Sequence, residues 1–270
     1  ALIADQSACP FRAFANHRLR AKTLEEPGYP LDPRIAGSLV HDVMELIWER
    51  LQDHKTLVSM PSERLSNLVK EVVTICLPAA RKKRPDLFND KFMRLEAERL
   101  HGLILDWLEQ EKTRQPVRAI KLELETRYLA GPLTINMRAD RIDELEDGQH
   151  VIIDYKTGSN INVNSWLDTR LGEPQVPLYC ITGEFTPVAA AIAKINVSKC
   201  EFKGLAATAN IADGLREYTG WPELLDHWKQ GIDRLAAEYC RGHASVDPGK
   251  GACDYGALDT LCRIGEHQNG

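Results

Sequence analysis

The sequence predicts an α/β fold, a central mixed β-sheet flanked by helices with a helical insertion ahead of the sheet. Three observations carry this. Apolar residues recur at helical spacing up to about residue 115, the period shortens to two from Val117, and a helical pattern returns from Glu223 to Arg241. At 270 residues the chain can bury a full core. It reads as one domain over 1–270, with the insertion at about 55–115, the core sheet at about 116–200, and a C-terminal helix and tail at about 220–270.

In chain order, Ser7 through Ala21 is expected to form one helix, with Ser7 as its N-cap and Pro10 in its first turn. Glu25 to Pro33 holds three prolines and a glycine and reads as a loop. A second helix runs from Ile35 to about Gln52, with Val40, Val43, Met44, Ile47 and Leu51 as its buried stripe. His41 and Glu45 are four apart and share one edge of it. Two amphipathic helices follow, about Pro61 to Lys82 and Asp86 to Thr113. Between them Arg81-Lys82-Lys83-Arg84-Pro85 concentrates four positive charges, as a solvated turn or a phosphate contact.

Ile120, Leu122 and Leu124 alternate with Lys121, Glu123 and Glu125, which marks a half-exposed strand. After a turn at Gly131-Pro132, Leu133 to Ile142 and His150 to Tyr155 complete an antiparallel meander. Pro174 to Glu184 is expected to be helical, and Val188 to Val197 reads as a buried strand.

Several classes drop out. No apolar run approaches the roughly 20 residues of a membrane-spanning helix. The start shows no basic region followed by an apolar core, and the lack of an initiating Met suggests a piece of a longer protein. Seven scattered cysteines do not resemble a secreted disulfide framework, so a cytoplasmic setting is expected. The net charge of −5 argues mildly against a nucleic-acid partner, although a local basic stripe would suffice for one. No phosphate-cradling Walker loop is present, so ATP hydrolysis is not expected of this chain.

Chemistry concentrates in Arg138 to Gly158. Residues two apart on a strand share a face, so Asp154 and Lys156 point the same way at the end of Val151-Ile152-Ile153. Asp140 lies one hairpin upstream, where an adjacent strand can bring it beside Asp154. Two carboxylates and an amine suit a divalent metal and the water it activates. Gln175 and Tyr179 form a helical pair just after these strands, while Glu123 and Glu125, which precede the Asp140 strand, are expected to be structural or weakly supportive of the site. Trp166 and Trp221 are expected in the core rather than stacked on bases.

These segments, taken together, resemble the PD-(D/E)XK nuclease superfamily, in particular its RecB/AddB-like branch. Cys9-Pro10-Phe11-Arg12, Gly37-Ser38-Leu39-Val40-His41 running on to Glu45, Asp140-Arg141-Ile142-Asp143, Asp154-Tyr155-Lys156-Thr157-Gly158, and Gln175 with Tyr179 occur in the family's order. The resemblance implies a restriction-endonuclease-like core. It implies that His41, Asp140, Asp154 and the Tyr155 carbonyl ligate Mg²⁺ or Mn²⁺, and that Lys156 positions or deprotonates the attacking water. Gln175 and Tyr179 would hold DNA or orient Lys156. Arg141 would face either a phosphate or a neighbouring carboxylate. Glu45 is expected first as a partner of His41, otherwise as a ligand or a surface charge.

Some members of that branch hold a 4Fe–4S cluster on one early and three late cysteines. Cys9, Cys253 and Cys262 match three of those positions, but Gly256 stands at the fourth and offers no thiolate. Cys240 falls outside the pattern, so an intact cluster is doubtful and the expectation is that the termini meet by packing. The resemblance further implies a metal-dependent DNA nuclease, an exonuclease of repair or recombination, working with a helicase domain or subunit outside this chain. The alternatives are a non-catalytic DNA-binding scaffold on the same fold and a structure-specific endonuclease.

Overall fold

The computed structural model describes residues 2–21, 33–83, 85, 87–249, 251–253 and 258–263. The loop expected before Pro33, together with Arg84 and Gly256, lies outside them. Six strands make one sheet in sequence order: β1 (Val117–Ala130), β2 (Leu133–Leu145), β3 (His150–Lys156), β4 (Pro187–Lys194), β5 (Glu201–Ala206) and β6 (Leu215–Glu217). Strands β1 to β3 form the antiparallel meander, β3 and β4 run parallel, β4 and β5 antiparallel, and β5 and β6 parallel. The sheet is therefore mixed, as expected.

Strand alternation assigns each face to its helices. Val151, Ile153 and Tyr155 of β3, with Ala189, Ala191 and Ala193 of β4, join one core with α3 (Pro33–Leu51), α5 (Ser62–Lys83) and α6 (Asp90–Lys112). Ile152 of β3, with Ala190 and Ile192 of β4, joins the other core with α7 (Gln175–Cys180) and α8 (Trp221–Cys240). Every residue of β4 is buried because helices cover both faces. Close packing extends to β5, where a Cβ on Gly204 would lie 2.1 Å from the Ala190 carbonyl oxygen. Gly204→Ala should force the two strands apart and cost about 1–3 kcal/mol, read from the denaturant midpoint.

Where the sequence expectation differs, local chemistry explains it. The helix expected over Ser7 to Ala21 divides into α1 (Leu2–Ala8) and α2 (Pro10–Ala13), followed by a π-helical turn at Phe14–Arg18. Pro10 lacks an N–H and crowds the residue before it, so Cys9 is extended at φ −165° and ψ 125°. Ser7 sits inside α1 and donates its hydroxyl to the Leu171 carbonyl instead of capping a helix. Asp53 starts a short α4 (His54–Ser59) by accepting from the Thr56 N–H at 2.6 Å. Helix α5 continues through Arg81 and Lys82, so that part of the basic run is helical, and Arg81 pairs with Asp90 at 2.9 Å. The last described element is a short α9 (Asp259–Cys262).

Candidate active site

The site lies where the β2–β3 ladder stops. The last paired positions are Arg141 with Ile153, and the same register sets Asp140 across from Asp154. The Tyr155 N–H donates to Asp140 Oδ2 at 2.9 Å. His41 arrives from α3 with Nε2 2.8 Å from the Tyr155 carbonyl oxygen and Nδ1 3.3 Å from Asp140 Oδ2. Burial opposes charge on this imidazole, but Asp140 and Asp154 outweigh it and raise its pKa above the ordinary histidine value.

Asp154 is fully buried. Burial pushes its carboxyl up to about 6, with Asp140 adding to the effect and Lys156 opposing it. Lys156 Nζ forms an ion pair with Asp154 Oδ2 at 2.7 Å, while the buried Oδ1 has no hydrogen-bond partner among the described residues. Lys156 is half-buried, which works against its charge, but Asp154 holds its pKa above the ordinary lysine value. It is an ammonium at neutral pH. A chain of hydrogen bonds orients it: Nζ donates to Gln175 Oε1 at 3.2 Å, Gln175 Nε2 donates to the Tyr179 hydroxyl at 3.1 Å, and that hydroxyl donates to the Arg138 carbonyl at 2.6 Å. Gln175 and Tyr179 thus stand in the lysine-orienting arrangement.

One acid was not foreseen as part of the site. Glu123 lies opposite Asp140, between the paired positions Leu122 with Arg141 and Leu124 with Ala139. Its φ of 48° interrupts the ladder at that residue. His41, Glu123 and Asp140 each offer a ligand atom, and all three atoms lie within 4.8 Å of one another. Alternation alone marks Glu123 as one of several polar strand residues, and no sequence signal separates it from Glu125.

The donor set fits a hard divalent cation. Two carboxylates and a histidine converge beside the buried Asp154, whose Oδ1 has no partner among the described residues. The metal's identity is not fixed by these groups.

One open alternative is decided and one expected role changes. Arg141 is fully buried and takes the second of its two expected roles, facing carboxylates rather than solvent and a phosphate. It grips Asp143 with Nε and Nη2 at 2.6 and 2.8 Å, reaches Glu111 at 2.8 Å, and stacks 3.9 Å over Trp48. Arg114 joins the same network at 2.5 Å from Asp143. Glu45 does not partner His41, because Asp140 and Tyr155 engage both ring nitrogens. It feels the charge of Arg138 instead. Trp166 and Trp221 are core residues, donating to the Glu173 and Pro187 carbonyls at 3.2 and 2.7 Å.

The N-terminal and C-terminal segments do meet. The Gly249 N–H donates to the Ala8 carbonyl at 2.8 Å, and the Phe11 N–H to the Ser245 carbonyl at 3.0 Å. Cys9 is buried there, 3.9 Å from the Ser245 carbonyl oxygen. Cys253 is exposed and Cys262 half-buried. Three matching thiols with glycine at the fourth position do not fit a four-iron cluster, and no chemistry is derived from one.

The sheet, its helical cover and this cluster of donors define a nuclease fold of the PD-(D/E)XK type. The sequence matches the family model of the PD-(D/E)XK nuclease superfamily over residues 3–263, and the chain belongs to that superfamily. No curated protein matches it. Among solved structures, one titled "Crystal structure of SSO0001" is similar over 97% of this chain and 94% of that chain, at 13% identity and a TM-score of 0.34. Membership implies a metal-dependent nuclease that hydrolyses phosphodiester bonds. No described helix is long and apolar enough to cross a membrane.

Proposed function

We propose that this chain is a Mg²⁺- or Mn²⁺-dependent deoxyribonuclease, an exonuclease of DNA repair or recombination, acting as part of a larger cytoplasmic helicase–nuclease system. The observation that carries the catalytic reading is the pair Asp154 and Lys156. The carboxylate is buried with its ammonium neighbour as its one close cation, and that ammonium is tethered through Gln175 to Tyr179. A structural ion pair would not need that tether. The exonuclease, repair and helicase elements rest on the resemblance to the RecB/AddB-like branch alone.

Asp140, Asp154, His41 and the Tyr155 carbonyl would hold the ion. When bound, such an ion lowers the pKa of a coordinated water and offsets charge on the phosphate. The chain's own residues supply the rest. The Tyr155 N–H fixes the Asp140 carboxylate, and the Gln175–Tyr179 chain aims the Lys156 ammonium at the same space. Because its pKa is raised, Lys156 acts there as a cation and hydrogen-bond donor, orienting water and phosphate.

Incubation with linear and circular, single- and double-stranded DNA, in Mg²⁺, Mn²⁺ or chelator, tests this reading. Metal-dependent loss of linear DNA alone supports the exonuclease, whereas cleavage of circles would turn it into an endonuclease. Lys156→Ala should slow cleavage by about 10²-fold or more. A Lys156→Ala protein that digests DNA at the parental rate overturns the mechanism.

A further inference from the structure

Glu123 and Arg138 form an unequal pair at the mouth of the site. Arg138 Nε is 2.5 Å from Glu123 Oε2, but the arginine side chain is 62% exposed and the glutamate only 14%. A buried carboxylate needs a cation close by, whereas an exposed guanidinium can leave at small cost because water replaces its partner. Glu123 is also anchored, since its strand register places it opposite Asp140 and within ligand distance of His41. The strand register also sets Asp154 across from Asp140, with its buried Oδ1 unpartnered among the described residues.

Resting on the nuclease reading above, we propose that Arg138 is a metal-released phosphate clamp: it neutralises Glu123 in the metal-free site, is displaced when a divalent cation takes that carboxylate, and then binds a backbone phosphate of the substrate strand. Three features support the exchange. The Arg138 main chain stays fixed, because its carbonyl accepts from the Tyr179 hydroxyl, so only the side chain has to swing. Arg138 and Asp140 are two apart on β2 and share a face. Arg138 also borders two grooves. One, of about 460 Å³, is shared with Asn136, Gln175 and Tyr179, and the other, of about 710 Å³, with Arg127 and Glu184. The released side chain therefore has open space beside it.

The exchange makes a prediction of opposite sign from a structural ion pair. Arg138→Gln removes the competing cation, so calorimetry with Mn²⁺ alone should show about two- to fivefold tighter binding than in the parent. In a Lys156→Ala background that prevents turnover, Arg138→Gln should weaken binding of a single-stranded oligonucleotide about tenfold with Mn²⁺ and far less in chelator. Arg138→Lys should restore much of that difference. Unchanged or weaker Mn²⁺ binding by Arg138→Gln overturns the proposal, as does an equal loss of DNA affinity with and without metal. Failure of the underlying nuclease reading looks different: the parent would then show no Mn²⁺ binding that Asp154→Asn removes.

Discussion

Asp154→Asn is expected to abolish DNA cleavage, by about 10⁴-fold or more, while raising the melting temperature of the metal-free protein. Loss of activity follows, on the proposed function, from removing a carboxylate that would hold the ion and that faces Lys156. The gain in stability follows from burial. A carboxyl raised from 3.8 to about 6 in the folded state is harder to ionise there than in the unfolded chain. The fold is therefore most stable below pH 3.8 with respect to this group, and it loses stability as pH rises toward 6. That shift corresponds to about 3 kcal/mol, part of which the variant forfeits because Lys156 loses its partner. A net gain of about 1–2 kcal/mol, or a few degrees, is expected at neutral pH. Mg²⁺ should then raise the melting temperature of the parent and leave Asp154→Asn unmoved. A metal-free Asp154→Asn protein that melts below the parent would contradict this account of a site held at a cost to stability.

Arg141→Ala is expected to destabilise the fold by about 3–5 kcal/mol, because it leaves Asp143 and Glu111 buried with too little positive charge. Burial opposes charge on both Arg141 and Asp143, yet each holds the other ionised. Asp143 stays below the usual carboxylate range through Arg141 and Arg114, and Arg141 lies far above its ordinary value through Asp143 and Glu111. Arg141→Lys should recover little, since one ammonium cannot replace a two-pronged grip plus the face stacked on Trp48. Chemical denaturation measures both variants. If Arg141→Ala unfolded at the parental midpoint while losing DNA affinity, Arg141 would be a phosphate contact after all.

The sequence was most legible where pattern and chemistry agree. The hairpin carrying Asp140 and Asp154 follows from alternation, and α3 and α8 follow from apolar spacing, because each buries one face against the sheet. The short β5 and β6 were not read. Lys203 and Gly204 interrupt the apolar pattern of β5, and β6 has only three residues. Glu123 escaped for another reason. A positive φ at a non-glycine residue is imposed by its surroundings, so residue type gives no warning of it. Arg141 was placed correctly in sequence and left ambiguous in space, since its partner Glu111 sits at the far end of the helical insertion.

The ion network also says which parts of the site can move. Trp48 and His41 belong to the same helix, Glu111 ends another, and Arg141 follows Asp140 directly in the chain. Bolting these together makes His41 and Asp140 one mechanical unit, stiff because its charges and close packing leave no alternative arrangement. Lys156 is held by its ion pair with Asp154 and by Gln175 of α7, and the chain through Tyr179 ends on the Arg138 carbonyl of β2. The lysine is therefore fastened to the same strand that carries Asp140, so the cluster is braced from both of its sides.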